Sequence, residues 1–264
     1  MKTELEGKTA IVTGGGAGIG LATAKMLAAE GANVVVVDLD TSDVVLGDDS
    51  LGKVLPVVAD LREASSATTA VKAAMENFGS IDVLVNNVGI APAREGFLSV
   101  SDEEWDRVMN LNFMTVVRFS RAVIPQMVEQ GSGSIVSLAS DVARQPDHFL
   151  VDYGVSKAAI AHLSKAISME FGPRGIRSNA VAPGPTRTSL WDRPGGFVDY
   201  LASEYKMDRE SAVEHFVKVT RNLPLGRMGQ PEDVAAVITF LSSALARQIT
   251  GSVYCVDSGS MRAI

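Results

Sequence analysis

Short apolar runs alternate with longer segments of helical periodicity along the whole chain. Runs such as TAIVT and NVVVVD show little polar alternation, which is typical of strands covered on both faces. We predict strands at Thr9–Thr13, Asn33–Asp38, Val54–Asp60, Ile81–Val85, Ser134–Ala139, Ser178–Ala182 and Val253–Val256. We predict helices at Ile19–Ala29, Ser65–Phe78, Asp102–Gln130, Asp152–Phe171 and Pro231–Ala244. This alternation predicts an α/β fold with a doubly wound, mainly parallel seven-stranded sheet and helices on both faces.

Local signals refine the helix starts and identify two unusual segments. Ser101 followed by Glu104 predicts a capping box, and Pro231 stands at a first helical position. Leu39–Lys53 is polar and rich in Gly and Asp, so we predict a short or irregular helix there. Residues 189–222 are too long for an ordinary connection and predict a partly helical insertion. Without a linker or repeat, residues 1–264 are predicted to form one domain.

Composition and charge narrow the possible partners. The chain is 46% hydrophobic and 21% charged, which is typical of a globular protein. Its net charge of −7 and the lack of a basic block disfavour binding to nucleic acid or to an anionic membrane. The single cysteine, Cys255, excludes an internal disulfide and is expected to be buried; no metal spacing appears among the histidines. Without a run resembling a signal peptide or a membrane span, we expect a cytoplasmic protein.

The segment TGGGAGIG, Thr13–Gly20, follows the first strand and opens a helix. Gly14, Gly18 and Gly20 fit G-x-x-x-G-x-G, in which glycine lets the backbone approach a phosphate at a helix N-terminus. A tight turn without a ligand would explain the glycines alone. Asp38, at the end of the second strand, lies where a carboxylate takes the ribose hydroxyls of a dinucleotide. The combination favours a dinucleotide site. It also favours NAD over NADP, because the carboxylate would repel the 2′-phosphate of NADP.

With these motifs the chain resembles the short-chain dehydrogenase/reductase superfamily, in its compact single-domain branch. Asn86–Gly89 resembles that family's Asn-Asn-Ala-Gly motif, with Val88 in place of alanine. Val181–Gly184 followed by Thr188 resembles the family's segment that closes on the nicotinamide. Asp60 resembles the residue that contacts the adenine ring. The resemblance implies a Rossmann-type fold with NAD as the cofactor. The implied cofactor-binding residues are Gly14, Gly18, Ile19, Gly20, Asp38, Leu39, Asp60, Leu61, Asn87, Val88, Gly89, Tyr153, Lys157, Pro183, Gly184, Thr186 and Thr188.

Tyr153 and Lys157 stand four residues apart and therefore share one helix face. A phenol is a poor base near neutrality, but a neighbouring ammonium and the positive nicotinamide ring both favour the phenolate. Tyr153 is thus predicted to exchange a proton with the substrate during hydride transfer. The resemblance adds Ser140, which would position the substrate oxygen, and Asn112, which would hold a water on the lysine. Taken without Ser140 and Asn112, the pair could also be a packed tyrosine beside a surface lysine, with no catalytic role.

The resemblance also places a substrate pocket, predicted to be mostly apolar. Its expected lining is Val142, His148, Phe149, Leu150, Pro185, Leu190 and Trp191, with Arg144 and Arg187 nearby. We expect an NAD-dependent oxidoreductase that interconverts a secondary alcohol and a ketone. The insertion is predicted to be a mobile lid, with an apolar underside formed by Phe197, Tyr200, Leu201, Phe216 and Val217. The alternatives are a cofactor-binding regulator without turnover, or an NAD-using epimerase or dehydratase. The family's long helices, here Asp102–Gln130 and Asp152–Phe171, imply a homotetramer.

Overall fold

The computed structural model describes residues 2–44 and 52–262. In these two ranges, seven strands form one parallel sheet in the order β3-β2-β1-β4-β5-β6-β7. The strands are β1 (Thr9–Thr13), β2 (Asn33–Asp38), β3 (Val54–Val58), β4 (Val83–Asn86), β5 (Gly133–Leu138), β6 (Ile176–Pro183) and β7 (Val253–Val256). The predicted doubly wound α/β class is confirmed. The prediction of a short or irregular helix in Leu39–Lys53 depends on residues 45–51, which lie outside the described ranges.

Helices cover both faces of the sheet. They are α1 (Gly18–Ala29), α2 (Ser65–Phe78), α3 (Asp102–Val108), α4 (Thr115–Gln130), α5 (Val151–Phe171), α6 (Ser189–Asp192), α7 (Phe197–Tyr205), α8 (Arg209–His215) and α9 (Pro231–Ser242). Strand side chains alternate between the faces, so Val12 of β1 joins a buried cluster with Leu27 and Ile238, from α1 and α9. Its neighbour Ile11 joins the opposite cluster, with Phe119 of α4. Burial on both faces explains why these strands are apolar throughout.

The strand order reverses between β1 and β4, which creates a crevice at their carboxyl ends. The chain first builds β1, β2 and β3 outward, then crosses back to place β4 on the other side of β1. Open parallel sheets bind their ligands at such a switch point. The segments that follow β1, β4, β5 and β6 are therefore expected to form the functional site.

The long helix predicted at Asp102–Gln130 is interrupted. A π-helical segment, Met109–Met114, separates α3 from α4. There, the Oδ1 atom of Asn112 accepts from the backbone N–H of Ile90 at 2.8 Å, and its Nδ2 atom donates to the carbonyl oxygen of Ile90 at 2.9 Å. π-Helical turns of this kind are frequent at functional sites. Asn112 thus ties the helix to the loop after β4.

The predicted cap signals are partly realised. The side chain of Ser101 accepts the backbone N–H of Glu104 at 3.4 Å, but the Glu104 carboxylate pairs with Arg94 and Arg107. A reciprocal box forms instead at α9, where Pro231 is the first helical residue, as predicted. Cys255, expected to be buried, is exposed in the isolated chain. Within the described ranges, no helix is long and apolar enough to cross a membrane.

The insertion, residues 189–222, contains α6, α7, α8 and a π-helical turn, Phe216–Thr220. It has a small hydrophobic core of its own, which packs around Leu201, Phe216 and Val217. These three side chains were expected to form an apolar underside facing the pocket, together with Phe197 and Tyr200. Leu201, Phe216 and Val217 are instead at most 7% exposed and contact other residues of this core. The insertion is therefore a packed helical unit and not an extended loop.

Candidate active site

The glycine loop after β1 is packed too tightly for side chains. Gly14 and Gly18 have φ angles of 62° and 52°, a region that favours glycine. A Cβ on Gly20 would lie 2.1 Å from the carbonyl oxygen of Gly14, and one on Gly14 would lie 2.9 Å from the Cα of Val88. Ala17, which precedes α1, gives no side-chain cap to the helix. The first amides of α1 thus have no side-chain acceptor at this cap, as a phosphate site requires.

Asp38 reaches from the end of β2 to the glycine loop. Its Oδ2 atom accepts the backbone N–H of Gly16 at 2.9 Å, and its Oδ1 atom accepts that of Leu39 at 2.7 Å. A Cβ on Gly16 would lie 2.0 Å from the carbonyl oxygen of Asp40. The sequence offers no basic residue from Gly14 to Gly20 or from residue 39 to residue 44. The local charge at this corner of the crevice is therefore negative.

Asp60, the predicted adenine contact, already has a partner in the chain. The guanidinium of Arg62 donates to both carboxylate oxygens of Asp60, at 2.6 to 3.0 Å. These hydrogen bonds lower the pKa of Asp60 to about 2. Leu61, which follows, is buried, and its carbonyl oxygen accepts from Thr115 at 2.9 Å. The adenine contact stays a prediction, and Arg62 is a neighbour that the sequence motif did not indicate.

The segment after β4 is bound directly to the glycine loop. The Nδ2 atom of Asn87 donates to the carbonyl oxygens of Thr13 and Gly14, at 3.1 and 2.8 Å. A Cβ on Gly89 would lie 3.3 Å from the Nζ atom of Lys157. Val88 is half-buried between these two contacts. Asn87, Val88 and Gly89 therefore line the path from the glycine loop to the predicted catalytic lysine.

Tyr153 and Lys157 share a face of α5, as predicted, and both stand beside the end of β5. The Nζ atom of Lys157 lies 5.6 Å from the centroid of the Tyr153 ring and donates to the carbonyl oxygen of Leu138 at 2.7 Å. Burial lowers the pKa of Lys157 to about 8. Burial is also the main cause that raises the pKa of Tyr153, to about 12; a hydrogen bond with Ser140 opposes this, and the charge of Asp141 adds to it.

Ser140 and Asn112 complete the predicted set, with different surroundings. Ser140, directly after β5, is 6% exposed and its Oγ atom lies 3.1 Å from the Oδ1 atom of Asp141. Asn112 is fully buried; besides Ile90, its Nδ2 atom donates to the Oγ atom of Ser156 at 3.1 Å. The structure thus brings Ser140 to Tyr153, whereas the side chain of Asn112 is engaged with the protein. The water-holding role of Asn112 stays a prediction.

The segment after β6 closes the crevice from the other side. Gly184 donates to the carbonyl oxygen of Val256 at 3.0 Å, and Thr186 donates to that of Gly184 at 3.0 Å. The Cγ2 atom of Thr188 would lie 3.2 Å from a Cβ on Gly18. Pro183, at the end of β6, leads directly into this segment. The residues predicted to close on the nicotinamide therefore reach the glycine loop.

The predicted substrate-lining residues do not form one continuous wall. Val142 and Pro185 are buried, and Leu150 is half-buried. His148 and Phe149 are exposed, with ring centroids 3.9 Å apart. Trp191 packs into the core of the insertion, against Phe197 and Phe216. The side chain of Leu190 lies outside the described part of the structure, and the nearby Arg187 pairs with Asp192 and Glu210.

The sequence did not predict two ion pairs that lie near Ser140 and Tyr153. Asp141 pairs with Arg221, 80 positions away, and Arg94 pairs with Asp152, 58 positions away. Only the position of Asp141 and Asp152 directly beside Ser140 and Tyr153 could have indicated them. In the described ranges, no group of three or more His, Cys, Asp or Glu side chains is arranged to hold a metal ion.

Comparison with known proteins agrees with this geometry. A family profile described as "Enoyl-(Acyl carrier protein) reductase" matches residues 14–261. The short-chain reductase protein NovJ of Streptomyces niveus is 38% identical over 254 residues, which cover 95% of this chain and 92% of that protein.

Two solved structures also match over nearly their whole length. L-Sorbose reductase from Gluconobacter frateurii, complexed with NADPH and L-sorbose, is 30% identical with a TM-score of 0.91, covering 100% of both chains. A 3-ketoacyl-(acyl-carrier-protein) reductase from Brucella melitensis, complexed with NADH, is 33% identical with a TM-score of 0.82, covering 98% of this chain and 100% of that one. The chain belongs to the short-chain dehydrogenase/reductase superfamily and is a nicotinamide-dependent oxidoreductase that acts on alcohol or carbonyl groups.

Proposed function

We propose that the protein uses NAD to interconvert a secondary alcohol and a ketone. The observation that carries this proposal is the placement of Tyr153 beside Lys157 and Ser140, at the edge of the sheet that also holds the glycine loop. The cofactor site fits its ligand, because Gly14 and Gly20 leave no room for side chains where the backbone must approach a pyrophosphate. When bound, NAD supplies the hydride acceptor.

The residues of the chain handle the proton and the orientation of the substrate. Tyr153 takes the alcohol proton at its Oη atom, or returns it in the reverse direction. With its pKa raised to about 12 by burial, Tyr153 is protonated near neutral pH, so the positive charge of Lys157 is required to favour the phenolate. Ser140 donates a hydrogen bond to the substrate oxygen, and Asn112 holds a water on Lys157. The proton then has a path away from the buried site.

Asp38 supports NAD as the cofactor rather than NADP. Its carboxylate lies against the glycine loop through the N–H of Gly16, where the adenosine ribose binds in folds of this kind. At an effective dielectric constant of about 20, two like charges about 4 Å apart repel each other by roughly 4 kcal/mol before screening. Related structures contain NADPH or NADH, so this preference depends on the residues of this chain. Asp40 adds a second negative charge nearby.

The insertion supports a lid, and its contacts suggest the substrate class. Val142 and Leu150, which lie between Ser140 and Tyr153 in the sequence, are the apolar groups that support this class, whereas Trp191 packs inside the insertion. A medium-sized, largely apolar carbonyl compound fits these groups, and a closed lid would exclude water from hydride transfer. Arg187 holds the insertion by pairing with Asp192 of α6 and Glu210 of α8.

We also propose that the chain assembles as a homotetramer through α4 and α5. A largely apolar groove runs between these helices, lined by Val117, Ile124, Pro125, Val128, Leu163, Ile167 and Phe171 together with Ser120 and Arg121. The same groove on a second copy offers a matching apolar surface, as a two-fold interface requires. Light scattering at micromolar concentration should give about four times the chain mass of 27.8 kDa. A mass of one chain would contradict this assembly.

The test of the proposed reaction is an oxidation screen. The purified protein is incubated with a panel of cyclic and linear secondary alcohols and either NAD or NADP, and the absorbance of the reduced nicotinamide is followed. Turnover with NAD that is lost on adding the corresponding ketone in excess would support the proposal. Tight binding of NAD without turnover of any alcohol or ketone in the panel would instead support a cofactor-binding regulator.

A further inference from the structure

A buried carboxylate stands directly behind the predicted catalytic serine. The Oδ1 atom of Asp141 accepts from the Oγ atom of Ser140 at 3.1 Å and from the N–H of Val142 at 2.8 Å. The Asp141 side chain is 7% exposed. A carboxylate this deeply buried is unfavourable unless it is paired and hydrogen-bonded. Asp141 therefore needs a cation, and the segment after β5 does not supply it.

The insertion and the C-terminal segment supply the partners of Asp141. The Nη2 atom of Arg221, which follows the π-helical turn, donates to the Oδ2 atom of Asp141 and to the Oγ atom of Ser260, the latter at 2.7 Å. The Oγ atom of Ser260 in turn donates to the Oδ2 atom of Asp141 at 3.0 Å. Asp141 thus joins three segments: one beside Ser140, one that ends the insertion and one near the C-terminus.

The charges around the reacting groups come from few elements. Lys157 of α5 and Asp141 of the segment after β5 face Tyr153, and Arg221 lies behind Asp141. The paired charges of Arg94 and Asp152 lie at the backbone N–H of Tyr153. Asp141 also influences Cys255: partial burial is the main cause that raises the pKa of the thiol, Asp257 and Asp141 add to it, and Arg144 opposes it. The negative charge of Asp141 disfavours the Tyr153 phenolate that alcohol oxidation requires.

We propose that Asp141 and Arg221 form a positioning pair through which the seated insertion sets the orientation of Ser140 and the acidity of Tyr153. The inference rests on the proposed function for its purpose, because only a Ser–Tyr pair that exchanges a proton would be affected. Ser140 has one hydroxyl hydrogen, which it can give to Asp141, to the oxygen of Tyr153 or to a substrate oxygen. Arg221 draws the carboxylate charge away from Ser140 and so releases this hydrogen for the substrate.

The pair gives the insertion a chemical role besides covering the pocket. With Arg221 in place, the charge of Asp141 is balanced and Tyr153 ionises more readily. If the insertion moves away, Asp141 stands unbalanced and Tyr153 keeps its proton. The reactive state of the phenol is thereby coupled to closure, so that proton removal is favoured only in the closed enzyme.

The test measures the acidity of Tyr153 directly. The protein is labelled with carbon-13 at the ζ carbon of tyrosine, and the signal of Tyr153, one of four, is assigned with Tyr153→Phe. The phenol is titrated in the full chain with saturating NAD. Arg221→Met should raise the midpoint by at least about half a pH unit, Asp141→Asn should lower it, and the double variant should lie between them. Arg221→Lys should restore the midpoint close to that of the unchanged protein.

The control is Lys218→Met, which removes an exposed positive charge three positions before Arg221, paired with Glu214. It should leave the Tyr153 midpoint in place. If Arg221→Met left the midpoint unchanged, or if Lys218→Met moved it equally, the pair would have no specific role. Where Arg221→Met does not fold, Asp141→Asn and the double variant decide, since neither leaves an unpaired buried carboxylate. The titration needs no turnover. A failed alcohol screen would therefore overturn the proposed reaction without deciding the order of the Tyr153 midpoints among these variants.

Discussion

The guanidinium of Arg94 donates two hydrogen bonds to one carboxylate oxygen of Asp152, at 2.5 and 3.1 Å. The side chain of Arg94 is 11% exposed and that of Asp152 is fully buried. The other oxygen of Asp152 accepts the backbone N–H of Tyr153 at 2.9 Å. The pair therefore joins the loop after β4 to the turn of α5 that presents the predicted catalytic phenol.

Removing the positive charge of this pair should strongly destabilise the protein. Arg94→Met would leave the Asp152 carboxylate buried and unpaired, which typically costs about 3–5 kcal/mol of stability. Urea denaturation would measure this loss, and kcat should fall as Tyr153 loses its fixed position. Arg107→Met is the matched control, because Arg107 also pairs with Glu104 but is 46% exposed. Similar losses for both variants would show that burial of the pair is not what matters.

Replacing the phenol should separate cofactor binding from turnover. Tyr153→Phe removes one oxygen and keeps the ring, so NADH should bind with nearly unchanged affinity while kcat falls by at least about a hundredfold. Fluorescence titration with NADH and steady-state rates measure the two effects. Tyr254→Phe, a half-buried tyrosine in β7, is the control for the loss of a hydroxyl. A Tyr153→Phe enzyme with most of its activity would contradict the proposed mechanism.

Cofactor choice should depend on Asp38. We expect kcat/KM with NAD to exceed that with NADP by more than about tenfold, which corresponds to about 1.4 kcal/mol. Asp38→Ala should narrow the ratio, because it removes the charge that faces the 2′-phosphate. Asp43→Ala removes an exposed carboxylate of the same segment and should leave the ratio unchanged. Equal use of NAD and NADP by the unchanged protein would mean that Asp38 does not face the ribose.

The buried Lys157 should make stability depend on pH. Its pKa is lowered from 10.5 to about 8 by burial, so the unfolded chain binds the additional proton between these values. The free energy of unfolding of the cofactor-free protein should therefore rise with pH from about 8, by at most about 1.4 kcal/mol per pH unit from this group. The rise should end near pH 10, where Tyr153, with its raised pKa, acts in the opposite sense.

The variant Lys157→Met should remove that rise. Denaturant midpoints measured at several pH values between 8 and 10 provide the comparison. Lys165→Met, which changes an exposed lysine two turns further along α5, is the control and should keep the rise. An unchanged pH dependence in Lys157→Met would show that its ammonium is not desolvated in the folded chain.

Closure of the insertion should depend on Arg187. Its guanidinium is 27% exposed and pairs with Asp192 and Glu210. Hydrogen exchange in residues 193–222 should be faster than in the sheet and should slow when NAD and a ketone bind. Arg187→Met should accelerate this exchange, whereas Arg227→Met, which breaks an exposed pair with Asp233 in the first turn of α9, should not. Exchange in the insertion as slow as in β1 or β4, with and without ligand, would argue against a lid.

The features that could be predicted from the sequence are those with short-range spacing. The glycine loop between β1 and α1, Asp38 at the end of β2 and the four-residue step from Tyr153 to Lys157 in α5 are each visible within one short stretch of sequence. Apolar runs sufficed for the strands, because the sheet is covered on both faces. The π-helical segment was missed because its contact, from Asn112 to Ile90, spans 22 positions.

The features that could not be predicted depend on tertiary packing. Nothing near Arg221 indicates that its guanidinium meets Asp141, and nothing near Phe216 indicates that the insertion closes on itself. The mostly exposed His148 shows the same limit, since a position between Ser140 and Tyr153 does not fix where a loop side chain points. Side-chain partners distant in sequence become visible only when the fold brings their segments together.

The separate core of the insertion has a consequence for redesign. Its apolar residues pack on one another and on Leu223 and Met228, which follow it, and form a cluster apart from the two that cover the sheet. Specificity can then be exchanged by replacing residues 189–228 as one block from a relative, while β1 to β7 and the glycine loop stay as they are. The block must retain Arg187 before it and the Arg221 contact near its end. We expect such chimaeras to fold, and to change which ketone is accepted without changing which cofactor is used.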